Sequence, residues 1–246
     1  MAQPAKLVKT LDLLAIAPHP DDVELTCGGT LLKMADAGYR TGILDLTQGE
    51  TGTRGTPEIR AREAARAAKI LGAKVRLNAG MPDAHLSVRD DYKVAIAEYI
   101  RELQPRTVIL PYWEGRHPDH YTASKLGYEA SFIAGLKNYP LAGEPFRPFK
   151  IIYAAAYATV TPTFAVDITR QYDRRRRAIL AYGSQFRPPK GTKTSKVFLP
   201  LDELEERMNF TARYYGRMIG VKYAEGFVVK EILQVDDVVK MPVRSI

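Results

Sequence analysis

The chain has 246 residues, 46% of them apolar and 26% charged, with a net charge of +8; at roughly 100–200 residues per domain, that is one large α/β domain or two small ones, able to bury a core without disulfides. A single cysteine, Cys27, excludes a disulfide framework and a cysteine-rich zinc module, and suits a cytoplasmic protein. No stretch approaches the ~18 apolar residues of a membrane span, and the first apolar run ends in HPDD rather than a small-residue cleavage site, so neither a membrane nor a signal peptide is expected.

Apolar runs alternate with helical patterns, which predicts βαβ units and a parallel sheet. A first strand is expected at 11–17, then a loop and a helix at 29–37 stopped by Gly38. A second strand covers 42–46. The loop TQGETGTRGT leads to Thr56 as N-cap and Pro57 at the first helical position, and that helix stops at Gly72. A strand at 74–77, a helix at 88–103 and a strand at 107–110 follow. PYWEGRHPDH then opens a helix reaching about residue 134. Further on, strands are expected at 151–156 and 164–166, helices at 168–181 and 201–219, and a last strand at 227–235. A polar loop spans 183–196. Part of this last third is expected to cap the sheet rather than extend it.

Three of the four histidines fall in two short strings, HPDD (19–22) and HPDH (117–120). A lone string of this kind is an ordinary turn or cap. Two strings, each just past a predicted strand, are not. In an open parallel sheet the loops after the strands share one edge, where ligands bind. His and Asp together suit a borderline divalent metal, and a catalytic zinc takes three protein ligands with a fourth position open. HPDD supplies His19 and one carboxylate; HPDH supplies His120, His117 or both. The remaining carboxylate is a base for water made acidic by the ion. Adjacent residues point apart, so one of Asp21 and Asp22 binds the ion and the other faces the water. The residues alone leave open which does which.

AIAPHPDDVELTCGGTLLK with a later HPDH resembles the PIG-L/LmbE-like family of zinc-dependent N-acetylglucosaminide deacetylases over nearly the whole chain. LTQGETGTRGTPEIRAREA, ILAYGSQF and RYYGRMIGVKYAEGF are most similar to its bacillithiol-biosynthesis members. The resemblance implies His19, Asp22 and His120 as ligands of Zn2+, with Fe2+ or Co2+ accepted by the same set. It implies Asp21 as general base and His117 beside the developing oxyanion. Asp119 would tune a neighbouring imidazole. Arg60, with Arg54, would hold substrate carboxylates. Where the family often has glutamate directly after HPDD, Val23 intervenes before Glu24. The expected fold is one domain over 1–246: a Rossmann-like α/β core over about 8–168, its mostly parallel sheet flanked by helices on both faces, and a small C-terminal extension over 169–246. The implied substrate is a small anionic GlcNAc conjugate, N-acetylglucosaminyl malate. A mycothiol precursor or chitin disaccharide is the alternative, and a non-catalytic metal scaffold the other. The resemblance also implies a homo-oligomer, a hexamer being the expected form.

Other strings have plainer readings. CGGT (27–30) lacks the spacing and the lysine of a nucleotide loop, so Cys27 is expected to be packed and the glycines to start a helix. His85 has no twin string and reads as a structural or rim residue. GETGTRGT reads as a substrate-facing loop. RRRR (174–177) points around a helix rather than along one stripe, which argues for a solvated or subunit-contacting face and against nucleic acid.

Overall fold

The computed structural model describes residues 10–187 and 200–243. Strands β1 (Leu13–Ala17), β2 (Thr41–Thr47), β3 (Val75–Met81), β4 (Thr107–Pro111) and β5 (Lys150–Ala154) run parallel, in the spatial order β3-β2-β1-β4-β5. β6 (Phe164–Asp167) lies at the far edge. β7 (Ala224–Val228) is inserted between β5 and β6, antiparallel to both. β1 and β2 are buried along their whole length. Strands covered on both faces read as continuous apolar runs rather than alternating ones.

The helices are α1 (Asp22–Thr26), α2 (Gly28–Asp36), α3 (Pro57–Leu71), α4 (Asp90–Leu103), α5 (Pro118–Ala134), α6 (Tyr172–Ile179), α7 (Gly183–Phe186) and α8 (Leu201–Met218). Leu31, Leu32, Ala67, Leu71 and Ala178 bring α2, α3 and α6 onto one face of the sheet, against Ala15 and Ile43. Ile96, Ile100, Leu126 and Ala130 bring α4 and α5 onto the other, against Leu14, Leu44 and Leu110. This is the expected α/β architecture with helices on both faces. The caps on α3 form as its sequence indicates: Thr56 accepts from the Ile59 amide at 3.3 Å, and Gly72 takes φ +71.

Several expectations need correction. The last strand is Ala224–Val228 rather than 227–235: β6 reaches only to Phe164, opposite Phe227, the pairing with β5 stops at Val228, and Ile232 beyond it is 98% exposed. It extends the sheet rather than capping it. The turn after β1 contains the short helix α1, and α7 occupies part of the expected polar loop; the rest of that loop, from 188 on, lies outside the described residues. Arg175, expected on a solvated or subunit-contacting face, is buried within the chain. It donates to the carbonyls of Glu24 and Leu25 and pairs with Glu225 at 3.0 Å, because one of four successive helical positions must face the sheet.

Glu225 on β7 joins three elements. Its carboxylate accepts from the amides of Gly29 (2.8 Å) and Thr30 (2.7 Å) and from the Thr30 hydroxyl (2.6 Å), at the start of α2. There it meets unpaired helix N–H groups and the positive end of the dipole. A Cβ on Gly29 would come 2.7 Å from Ile168 Cδ1, so only glycine lets α2 approach this closely. Glu225→Ala would leave Arg175 buried without its carboxylate. The expected loss is about 3–5 kcal/mol of stability in urea unfolding; a loss under about 1 kcal/mol would contradict the capping role.

Candidate metal centre

β1 and β4 are neighbours, yet the sheet grows away from them in opposite directions, towards β2 on one side and β5 on the other. Such a switch point opens a crevice beyond the carboxyl ends of the strands. The turn after β1 brings His19, Asp21 and Asp22 to that crevice, and the turn after β4 brings His117, Asp119 and His120. The His19 and His117 ring centroids are 5.0 Å apart, those of His117 and His120 5.0 Å, and those of His19 and His120 5.6 Å.

His19 Nδ1 lies 3.0 Å from Asp22 Oδ2, and His120 Nε2 lies 3.3 Å from Asp22 Oδ1. One donor atom from each of these three residues falls within 4.8 Å of the others. His19, His117 and Asp119 also form a cluster of that size. Its donors are more committed: Asp119 Oδ2 accepts from the Ala84 amide at 2.9 Å, and His117 Nδ1 accepts from the Asp119 amide at 3.2 Å. Two imidazoles and one carboxylate, part buried and flanked by open space, fit a borderline divalent ion with a position left for solvent.

The two adjacent aspartates part because Asp21 adopts φ +110, a left-handed conformation that an L-residue rarely accepts. Asp22 turns to the imidazoles, while Asp21 Oδ2 meets Arg60 Nη2 at 3.3 Å. Burial raises the Asp21 pKa to about 7, against the pull of Arg60. Burial alone would raise Asp22 too, but His120 and His19 hold it well below the ordinary value. For His19, burial works to lower the pKa; hydrogen bonds with Asp119, Asp22 and Asp83 overcome it and raise the value to about 12. Three carboxylates around one ring make a pocket that demands positive charge. Burial and the neighbouring imidazoles lower the pKa of His117. With Nδ1 an acceptor, a neutral His117 carries its proton on Nε2.

Asp119 is buried and reaches His19 Nε2 at 3.2 Å, so the imidazole it tunes is that of His19. Arg60, expected as a clamp for substrate, is 6% exposed and committed inside the protein. Its guanidinium donates to the carbonyls of Pro20 and Gly49 and faces Asp21. Arg54 donates to the Gln185 carbonyl at 3.2 Å, and His85 is exposed. Cys27 is buried, with its thiol pKa pushed up by burial. Sequence reasoning passed over three residues. Asp83, after β3, comes within 3.0 Å of His19 Nε2. The Tyr157 ring lies 5.1 Å from that of His120. Arg116, directly before HPDH, is exposed and, among the described residues, makes no ion pair or hydrogen bond. It lines a cavity of about 430 Å³ together with Asp22, His117, His120 and Tyr157. The string GRHPDH was the available signal for it.

The PIG-L family, described as GlcNAc-PI de-N-acetylase, matches residues 14–131 of this chain. A diacetylchitobiose deacetylase of Thermococcus kodakarensis is 35% identical over 233 residues, covering 87% of this chain and 81% of the relative. A probable N-acetyl-alpha-D-glucosaminyl L-malate deacetylase 2 of Bacillus anthracis is 27% identical, covering 71% of this chain and 81% of the relative. The crystal structure of the conserved protein TT1542 from Thermus thermophilus superposes with a TM-score of 0.83 at 43% identity, covering 92% of this chain and 98% of that one.

If Arg60 serves Asp21 and the two carbonyls rather than a ligand, Arg60→Ala destabilises the ligand-free protein by about 2 kcal/mol or more, because buried acceptors lose their donor. Chemical unfolding without substrate checks this. Unchanged stability would return Arg60 to the role of a substrate clamp.

Proposed function

Because the chain belongs to the PIG-L family of GlcNAc-type deacetylases, we propose that it is a zinc-dependent hydrolase that removes the acetyl group of N-acetylglucosaminyl malate, the anionic conjugate of bacillithiol synthesis. The single observation that carries the hydrolytic reading is the convergence of His19, Asp22 and His120 from two distant turns, with Asp21 and His117 left beside them. His19, Asp22 and His120 would hold a divalent ion, which would supply Lewis acidity towards water and an amide carbonyl.

The protein's own groups do the rest. Asp21 takes the proton of the attacking water; its position against Arg60 keeps it apart from the ligand carboxylate. The water oxygen bonds to the amide carbon, and the carbonyl oxygen gains negative charge. The Nε2–H of His117, fixed in that tautomer by the Asp119 amide, donates to this oxygen. The C–N bond then breaks. The proton held by Asp21 passes to the nitrogen, leaving the free amine and acetic acid, which loses its remaining proton to become acetate.

Two observations favour an anionic substrate. The net charge is +8, and the guanidinium of Arg116 stands uncommitted at the cavity lined by His117 and His120. We assign to Arg116 the carboxylate-binding role first expected of Arg60 and Arg54. The second reading is diacetylchitobiose as substrate, favoured by the 35% identity to the Thermococcus enzyme.

Acetate release from a panel of GlcNAc-malate, diacetylchitobiose and plain GlcNAc, with and without chelator, separates these readings. The malate conjugate is expected to turn over fastest and the chelator to abolish release; a preference for the disaccharide would overturn the malate assignment. Asp21→Asn is expected to keep its zinc and lose about 10²–10⁴-fold in kcat, whereas His19→Ala and His120→Ala lose zinc and activity together. Zinc lost from Asp21→Asn but retained by Asp22→Asn would reverse the two aspartate roles. Arg116→Ala is expected to raise KM for the malate compound about tenfold or more, the loss of one charge-assisted contact, while leaving plain GlcNAc unchanged.

A further inference from the structure

We infer that Lys230 is a positioning residue: its ammonium group, held against three aromatic rings, fixes Trp113 and with it the turn that presents Arg116 to the cavity. The inference rests on the reading of Arg116 as the group that binds a substrate carboxylate. Lys230 lies two residues beyond Val228 of β7, which pairs with Tyr153 of β5. Residues two apart on extended chain share a face, so Lys230 returns over Tyr153. Its Nζ lies 4.7 Å from the centre of the Trp113 ring, 4.9 Å from that of Tyr128 and 5.1 Å from that of Tyr153. All three distances fall where a ring face attracts a cation. Trp113 also packs edge-on against Tyr153, with ring centroids 4.8 Å apart and planes at 90°. Tyr128 stands on α5 and Trp113 in the turn between β4 and α5. One ammonium group thus joins the end of β7 to β5, to α5 and to the turn.

That turn has few other anchors. Tyr112, Glu114, Gly115 and Arg116 line the cavity, whereas Trp113 does not; its ring packs against the core. Glu114, Gly115 and Arg116 make no hydrogen bond or ion pair among the described residues. A Cβ on Gly115 would meet nothing within 4 Å. The place of Arg116 is therefore set from the two ends of the turn. At one end stands Trp113. At the other, His117 caps α5, its Nδ1 accepting from the Asp119 amide. Lys230 acts on the first end. It does not line the cavity, so it reaches a substrate only through the turn. A long arginine gains affinity for a carboxylate only as far as its geometry is fixed before binding. The charge of Lys230 matters, not its bulk alone. Methionine would fill the space and touch the same rings, but it offers their faces no cation. Arginine keeps the cation and stacks on aromatic faces.

The test uses the full chain carrying Lys230→Met, Lys230→Arg, Arg116→Ala, or Lys230→Met together with Arg116→Ala. Trp113 is the single tryptophan of the chain, so its emission and its quenching by acrylamide read the cage alone. Lys230→Met is expected to shift the emission and raise the quenching, and Lys230→Arg to keep both near wild type. The KM for GlcNAc-malate is expected to rise about three- to tenfold in Lys230→Met, with kcat within about twofold; plain GlcNAc, which has no carboxylate, keeps its KM. In the Arg116→Ala background Lys230→Met is expected to add nothing, since a residue that acts through Arg116 then has nothing left to position. Unaltered Trp113 emission and quenching in Lys230→Met, an equal KM rise in Lys230→Arg, or a rise undiminished in the double variant overturns the inference. If Lys230→Met does not fold, Tyr128→Leu decides: it removes the exposed ring of the three and is expected to raise both the quenching and the malate KM, about two- to fivefold for the latter, whereas wild-type values overturn the inference. A wild-type malate KM in Arg116→Ala would instead overturn the carboxylate-binding reading of Arg116, and Trp113 emission would still decide whether Lys230 fixes the turn.

Discussion

The crevice of this protein is organised by one electrostatic demand: several carboxylates, largely withdrawn from water, surround a single imidazole. Asp22, Asp83 and Asp119 all lie within about 3 Å of His19 ring nitrogens. Buried like charges so close cannot coexist without a cation. Without a metal, a protonated His19 meets the demand. In the proposed metal-bound form the ion would meet it, with the ring a neutral ligand. The fold is arranged to make this meeting unavoidable. Parallel β1 and β4 are adjacent and in register, so the turns that follow them emerge side by side at the switch point.

Around that demand the protein separates functions that neighbouring residues would otherwise share. Left-handed backbone at Asp21 costs conformational energy, of order 1–3 kcal/mol, and divides two adjacent aspartates between Arg60 and the imidazoles. The Asp119 amide sets the tautomer of His117, while its carboxylate serves His19. Beneath the crevice, Glu225 and Arg175 bind α2 and α6 to β7, holding the floor on which α1 and its preceding turn rest. Cooperation of this kind is what a hydrolytic centre needs, since a catalytic group misplaced by about 1 Å loses much of its effect.

Much of this was legible before the fold was known, for identifiable reasons. HPDD and HPDH are contiguous strings placed after apolar strands, so their meeting follows from parallel topology alone. The caps of α3 were equally local. What escaped was set by distant contacts. Arg60 was expected to hold substrate carboxylates, and its hydrogen bonds to backbone carbonyls have no sequence signature. Asp83 has no twin string, and its position matters only because β3, separated from β1 by β2, sends its turn back over the crevice. Five-residue α1 is too short to show a period, and the placing of β7 depends on partners some sixty residues away. Arg175 sits in a basic run whose inward position could be seen only once the helix had a partner.

The account stands on His19, Asp22 and His120 gripping one ion. X-ray absorption at the zinc edge of the loaded protein tests this most directly. Two imidazole nitrogens, one carboxylate oxygen and a further light atom around the ion, at distances of about 2.0–2.2 Å, are the predicted result. A coordination sphere without imidazole scattering would contradict it.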